Sequence, residues 1–176
     1  MRTSTHIGLA VTIVVALATA AGAQHSGHGA HAGGGDHHHA VQACITEFEQ
    51  VVAGGRGAGM AFAADQNGYP GPMHILELRE RLALTADQVA KAEALMRAMF
   101  DESRPKSARL LDAEARLRRL FAAGGADESA IRTAVADVER ARTDVRLVHL
   151  LTHVRARDLL TEQQRRLYHD ARWGAH

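Results

Sequence analysis

Apolar positions recur at three- and four-residue intervals along much of the chain, the spacing of a single buried stripe on an α-helix. Over residues 84–160 this spacing supports two long arms, and Gly124-Gly125 marks the point where the chain turns back. The first arm sets Val89, Met96, Met99, Leu110, Leu117 and Leu120 near a heptad stripe, interrupted by Pro105 in the polar run 101–107. Proline removes an amide donor and crowds the preceding turn, so the arm is expected to bend or restart there. The second arm, with Asp127 as its cap, offers Ile131, Val135, Val138, Val145 and Thr152 to the first. Farther along it, Leu147, Leu150, Leu151 and Val154 form a second apolar face almost opposite, which predicts cover on both sides.

Shorter helices flank the hairpin. Ile45, Phe48, Val51 and Val52 give helical spacing over 41–53, which Gly54-Gly55 ends. A second piece is expected over 59–66. A third begins at Pro72 after the turn at 67–71 and runs to about residue 82, burying Ile75, Leu76, Leu78 and Leu82. The last covers 162–172. The expected fold class is all-α: a long antiparallel helical hairpin with short flanking helices, one domain over 41–176.

Two of these helices open on the same pattern, Leu84-Thr85-Ala86-Asp87-Gln88 and Leu160-Thr161-Glu162-Gln163-Gln164. Thr at the cap accepts from the backbone N–H three residues on, Gln at that position reaches back to the cap, and the preceding Leu packs on the next turn. The chemical job of Leu84, Thr85, Gln88, Leu160, Thr161 and Gln164 is thus helix capping.

Composition narrows the reading. Aromatic residues are only 4%, which disfavours a sandwich or barrel. A net charge of +1 gives no general pull towards nucleic acid. The single cysteine, Cys44, can form no disulfide within the chain. Arg2 followed by an apolar run and by Ala21-Gly22-Ala23 reads as a signal peptide over 1–23, cleaved after Ala23. The run is shorter than the ~20 apolar residues that span a bilayer. The mature chain is expected in the periplasm.

Residues 24–40 are mostly Gly, Ala and His, including His25, His28, His31, His37, His38 and His39, with little that can enter a core. This composition predicts a disordered tail whose imidazoles bind zinc, copper or nickel. In the helical part, His149 and His153 stand four residues apart and share one helix face, a spacing that lets two imidazoles grip one ion. A third ligand could come from His74, from a Glu or Asp on another helix, from Cys44 or from the histidine tail folding back. The plainer alternative makes His149 a hydrogen-bonded histidine at the core edge and His153 a surface one. Position 150 is Leu, so the zinc-protease helix motif is missing its Glu, and no phosphate loop or nucleophile elbow occurs. No enzymatic activity is expected.

The paired Leu-Thr-x-x-Gln motifs behind an export signal resemble the Spy/CpxP family of periplasmic stress proteins. Residues 67–72 with His74, and the run 149–153 before the second motif, resemble its zinc-resistance-associated and heavy-metal-sensor branch. The likeness spans residues 57–172. It implies a homodimer of concave hairpins and a metal-binding stress or resistance protein. The alternative it implies is an ATP-independent holdase chaperone for unfolded clients, and a membrane-bound signalling partner is a further implied contact.

Overall fold

The structure, a computed structural model, describes residues 34–174. The expected signal peptide over 1–23 and His25, His28 and His31 lie outside the described residues. Among those described, all regular structure is helical: α1 (Gly34–Ala53), α2 (Phe62–Asp65), α3 (Pro72–Glu77), α4 (Ala86–Ala122), α5 (Glu128–Asp158) and α6 (Glu162–Trp173). None of these helices is long and apolar enough to cross a membrane.

α4 and α5 are the two arms, and their ends follow from local chemistry. Thr85 Oγ1 accepts from Gln88 N at 3.2 Å while Gln88 Oε1 accepts from Thr85 N at 3.0 Å, a complete capping box. Thr161 and Gln164 repeat it at the start of α6, at 3.2 and 2.9 Å. Asp127 Oδ1 caps α5 by accepting from Ala130 N at 2.7 Å. At the turn, Gly124 adopts φ +68°, a left-handed conformation that a β-carbon would strain. α4 neither stops nor restarts at Pro105. Asp101, whose carbonyl loses its donor, is exposed on the same side as Pro105, so water can serve that oxygen.

The two capping boxes do more than cap, because their glutamines meet. Gln88 Nε2 donates to Gln164 Oε1 at 2.8 Å and Gln164 Nε2 donates to Gln88 Oε1 at 3.1 Å, a cyclic amide pair. Each amide spends its remaining hydrogen on a carbonyl of a neighbouring turn, Leu159 O at 2.8 Å for Gln88 and Leu82 O at 3.1 Å for Gln164. All donors of both side chains are satisfied, as buried amides require.

Two apolar clusters flank this architecture. Ile75, Leu82, Ala92, Ala156, Leu160 and Tyr168 gather α3, the base of the hairpin and α6. Val52, Leu110, Ala113, Val138 and Val145 join α1 to the middle of the hairpin. Between them the facing sides of α4 and α5 change character: Ser103, Ser107, His149, Thr152 and His153 are all buried.

Several expectations need correction. α1 begins at Gly34, so His37, His38 and His39 stand exposed on its first turns and not in a disordered tail. α3 ends at Glu77; the chain then turns, with Ala83 at φ +47°, and so brings the Leu82 carbonyl to Gln164. On α5, Val138, Val145 and Thr152 meet α4 as expected, but Val135 is 42% exposed, because the tip of the hairpin has no third layer. Of the two covers expected for the second face of α5, the terminal helix or a second subunit, α6 is not one: it packs at the base of the hairpin and leaves Leu147, Leu151 and Val154 48, 49 and 42% exposed within the chain.

Candidate metal site in the hairpin cavity

His149 and His153 lie on one face of α5, on the wall of a half-open cavity of about 350 Å³ bounded by α2, α3 and the loop before α2. Both are buried, at 4 and 7% exposure, which overturns the idea of His153 as a surface residue. Each ring has one nitrogen held by a neighbour. His153 Nδ1 lies 2.6 Å from the Tyr69 carbonyl, which can only accept, so Nδ1 carries the hydrogen and Nε2 the lone pair. Tyr69 is itself steadied by the Arg157 guanidinium, 4.7 Å above its ring. His149 Nε2 lies 3.2 Å from Ser103 Oγ, reaching across from α4. With Nε2 as the donor there, His149 Nδ1 also carries a lone pair.

Burial holds both imidazoles neutral. It lowers the His149 pKa to about 4, with the neighbouring His153 adding to the effect. Burial also lowers that of His153, against the opposing pull of the Tyr69 carbonyl. Neutral imidazole with its second nitrogen fixed by a carbonyl or hydroxyl is the form that ligates metal ions.

Glycine backbone packs directly against both rings. A β-carbon on Gly71 would stand 2.9 Å from His153 Nε2, and one on Gly57 would stand 3.1 Å from His149 Nδ1 and 2.9 Å from its Cγ, closer than real contacts allow. Only glycine lets the chain approach the two imidazoles this closely.

His74 does not complete a three-histidine set. Its ring meets that of His153 edge to face, with centroids 6.1 Å apart, but both of its nitrogens are occupied. Nη2 of Arg172 lies 3.2 Å from His74 Nε2, and a guanidinium only donates, so Nδ1 bears the hydrogen and points to Asp65 Oδ1 at 3.3 Å. Asp65 also accepts from the Tyr168 hydroxyl and, at 2.9 Å, from Arg172 Nε. Burial pushes the Asp65 pKa up, but the bonds from His74, Tyr168 and Arg172 outweigh it and bring it down to about 2. Burial and the bond to Asp65 hold the Tyr168 hydroxyl protonated. This network ties α2, α3 and α6 together, and it leaves His74 and Asp65 without a free donor atom for an ion. Among the described residues, no three His, Cys, Asp or Glu side chains converge as a metal-binding group.

Sequence reasoning found His149, His153 and His74 but missed their supports, Ser103, Tyr69, Asp65, Tyr168 and Arg172. Only Tyr168 and Arg172 left a signal, four residues apart on the face of α6 that turns inward. His37, His38 and His39, by contrast, are exposed on α1 and line no part of this cavity. Compared with protein-family models, with curated proteins and with solved structures, the chain matches none.

Proposed function

We propose that this chain is an exported heavy-metal-binding stress or resistance protein that senses or buffers zinc, copper or nickel, with its ordered site on the cavity face of α5. One observation carries the reading: His149 and His153 are buried, neutral, and each held through one nitrogen so that the other is free on the same cavity. On this reading the leader over 1–23 sends the chain to the periplasm. His25, His28, His31, His37, His38 and His39 form a weaker collecting set, His37, His38 and His39 standing in solvent on α1. The resemblance of the paired capping motifs to the Spy/CpxP family points the same way.

The test is calorimetric titration of zinc, copper and nickel into the mature chain and into the His149→Ala/His153→Ala variant. The variant should lose the tightest equivalent and keep its helical circular dichroism. Unchanged tight binding would assign both histidines to packing.

A second reading, an ATP-independent holdase chaperone, has its own observation: the exposed stripe of Leu147, Leu151 and Val154 along α5. Such a stripe suits unfolded clients or the second copy of a homodimer. Suppression of aggregation of a reduced client, lost when the stripe is made polar, separates it from the metal reading.

A further inference from the structure

We infer that the ion suited to this cavity is cuprous copper, held by His149, His153 and the thioether of Met99. The inference rests on the metal-binding reading above and names which metal that site takes.

Met99 lines the same cavity and is 9% exposed. Its place follows from helix register. Ser103 on α4 meets His149 on α5 at 3.2 Å. In an antiparallel pair, one turn back along α4 from Ser103 reaches Met99, and one turn forward along α5 from His149 reaches His153. Met99 therefore sits on the rung of His153, next to the rung of His149. Packing alone explains an apolar residue there, but leucine would do that equally well, whereas the thioether adds a soft donor to the cavity that both imidazoles line.

Charge selects the ion further. The three donors are all neutral. Arg56 and Arg172 also line the cavity, and the one carboxylate on its wall, Asp65, is saturated by Tyr168, Arg172 and His74. A divalent ion would bring two charges into an apolar, cation-flanked space with no anionic ligand to offset them. A monovalent ion brings one. Zinc also favours four ligands, commonly completed by thiolate or carboxylate, and none converges here. Two nitrogens and a thioether suit a soft ion of low coordination number.

The experiment uses the full mature chain under anaerobic conditions, with bicinchoninate competing for Cu(I) strongly enough to strip ions from exposed histidines. Zinc affinity is measured in parallel, and copper-edge X-ray absorption reports sulfur in the first shell. Met99→Leu conserves volume and packing. It should weaken Cu(I) binding at least as much as the loss of an outer-shell partner does, on the order of 10- to 100-fold, and remove the sulfur shell. Zinc binding should be unchanged. Gly71→Ala, which retains all three ligands but forces a β-carbon to within 2.9 Å of His153 Nε2, should lower Cu(I) affinity as well. Met99→Leu binding Cu(I) like the wild type, or a wild type preferring zinc, overturns this inference and leaves the metal reading intact. Full retention of tight Cu(I) and zinc by His149→Ala/His153→Ala overturns the metal reading itself.

Discussion

Replacing Gln164 with Ala removes more than a cap. The side chain accepts from Thr161 N, donates to the Leu82 carbonyl and shares two bonds with Gln88. Losing four bonds at roughly 0.5–1.5 kcal/mol each, with Leu82 O left buried and unpartnered, predicts a loss of about 3 kcal/mol. An isolated cap residue costs about 1 kcal/mol. Gln88→Ala loses the same two shared bonds together with those to Thr85 N and Leu159 O, so its cost should be similar. The double variant should then cost less than the sum of the singles by about 1–2 kcal/mol, because the shared pair can be lost only once. Urea unfolding followed by circular dichroism on all four proteins gives this coupling directly. Additivity within about 0.5 kcal/mol would show that each glutamine serves only its own helix, and would refute the mutual clamp.

Two further outcomes can be checked with simple variants. The folded-state pKa of His149 is lowered to about 4 from 6.5, so the unfolded chain binds the extra proton between these values; stability is full above pH 6.5 and falls as the pH drops towards 4. The effect is bounded at about 3 kcal/mol, and His149→Gln should flatten the pH profile of the urea midpoint over that window, whereas an unchanged slope would deny His149 a buried neutral state. Leu147→Glu/Leu151→Glu places two charges on the uncovered stripe of α5 and should convert a dimer into a monomer by sedimentation, and a wild type already monomeric at micromolar concentration would refute that interface.

What the sequence made legible was whatever a few neighbouring residues decide. Thr85 with Gln88, Thr161 with Gln164, Asp127 and Gly124 each set a helix boundary through their own backbone, and each boundary falls where the pattern puts it. The meeting of Gln88 with Gln164 was not legible, because a capping box leaves the amide nitrogen free and nothing local says what it will bond. The early end of α3 was not legible either. Periodicity runs on through Leu82, and Leu82 N still donates to the Leu78 carbonyl, but three-residue bonds at Arg79 and Ala83 break the regular α ladder after Glu77. The start of α1 was misplaced for the opposite reason: glycine and histidine are poor helix formers, so composition argued for a tail where the helix continues back to Gly34. At the candidate site, the spacing of His149 and His153 announced a shared face, but their partners Ser103 and Tyr69 come from other elements and carry no mark in the sequence.

The polar layer between the two apolar clusters also decides how the arms can be aligned. A seam made only of Leu, Val and Ala tolerates sliding by a turn, since one apolar contact replaces another. Here a slip of α5 by one turn would withdraw His149 from Ser103 and His153 from the Tyr69 carbonyl, at about 1–3 kcal/mol for each buried group left unpaired. The same slip would part Gln88 from the Leu159 carbonyl at the base of the hairpin. Alternative alignments are thus penalised at two separated points, and the rung that rejects them is the one that holds His149 at the edge of the cavity.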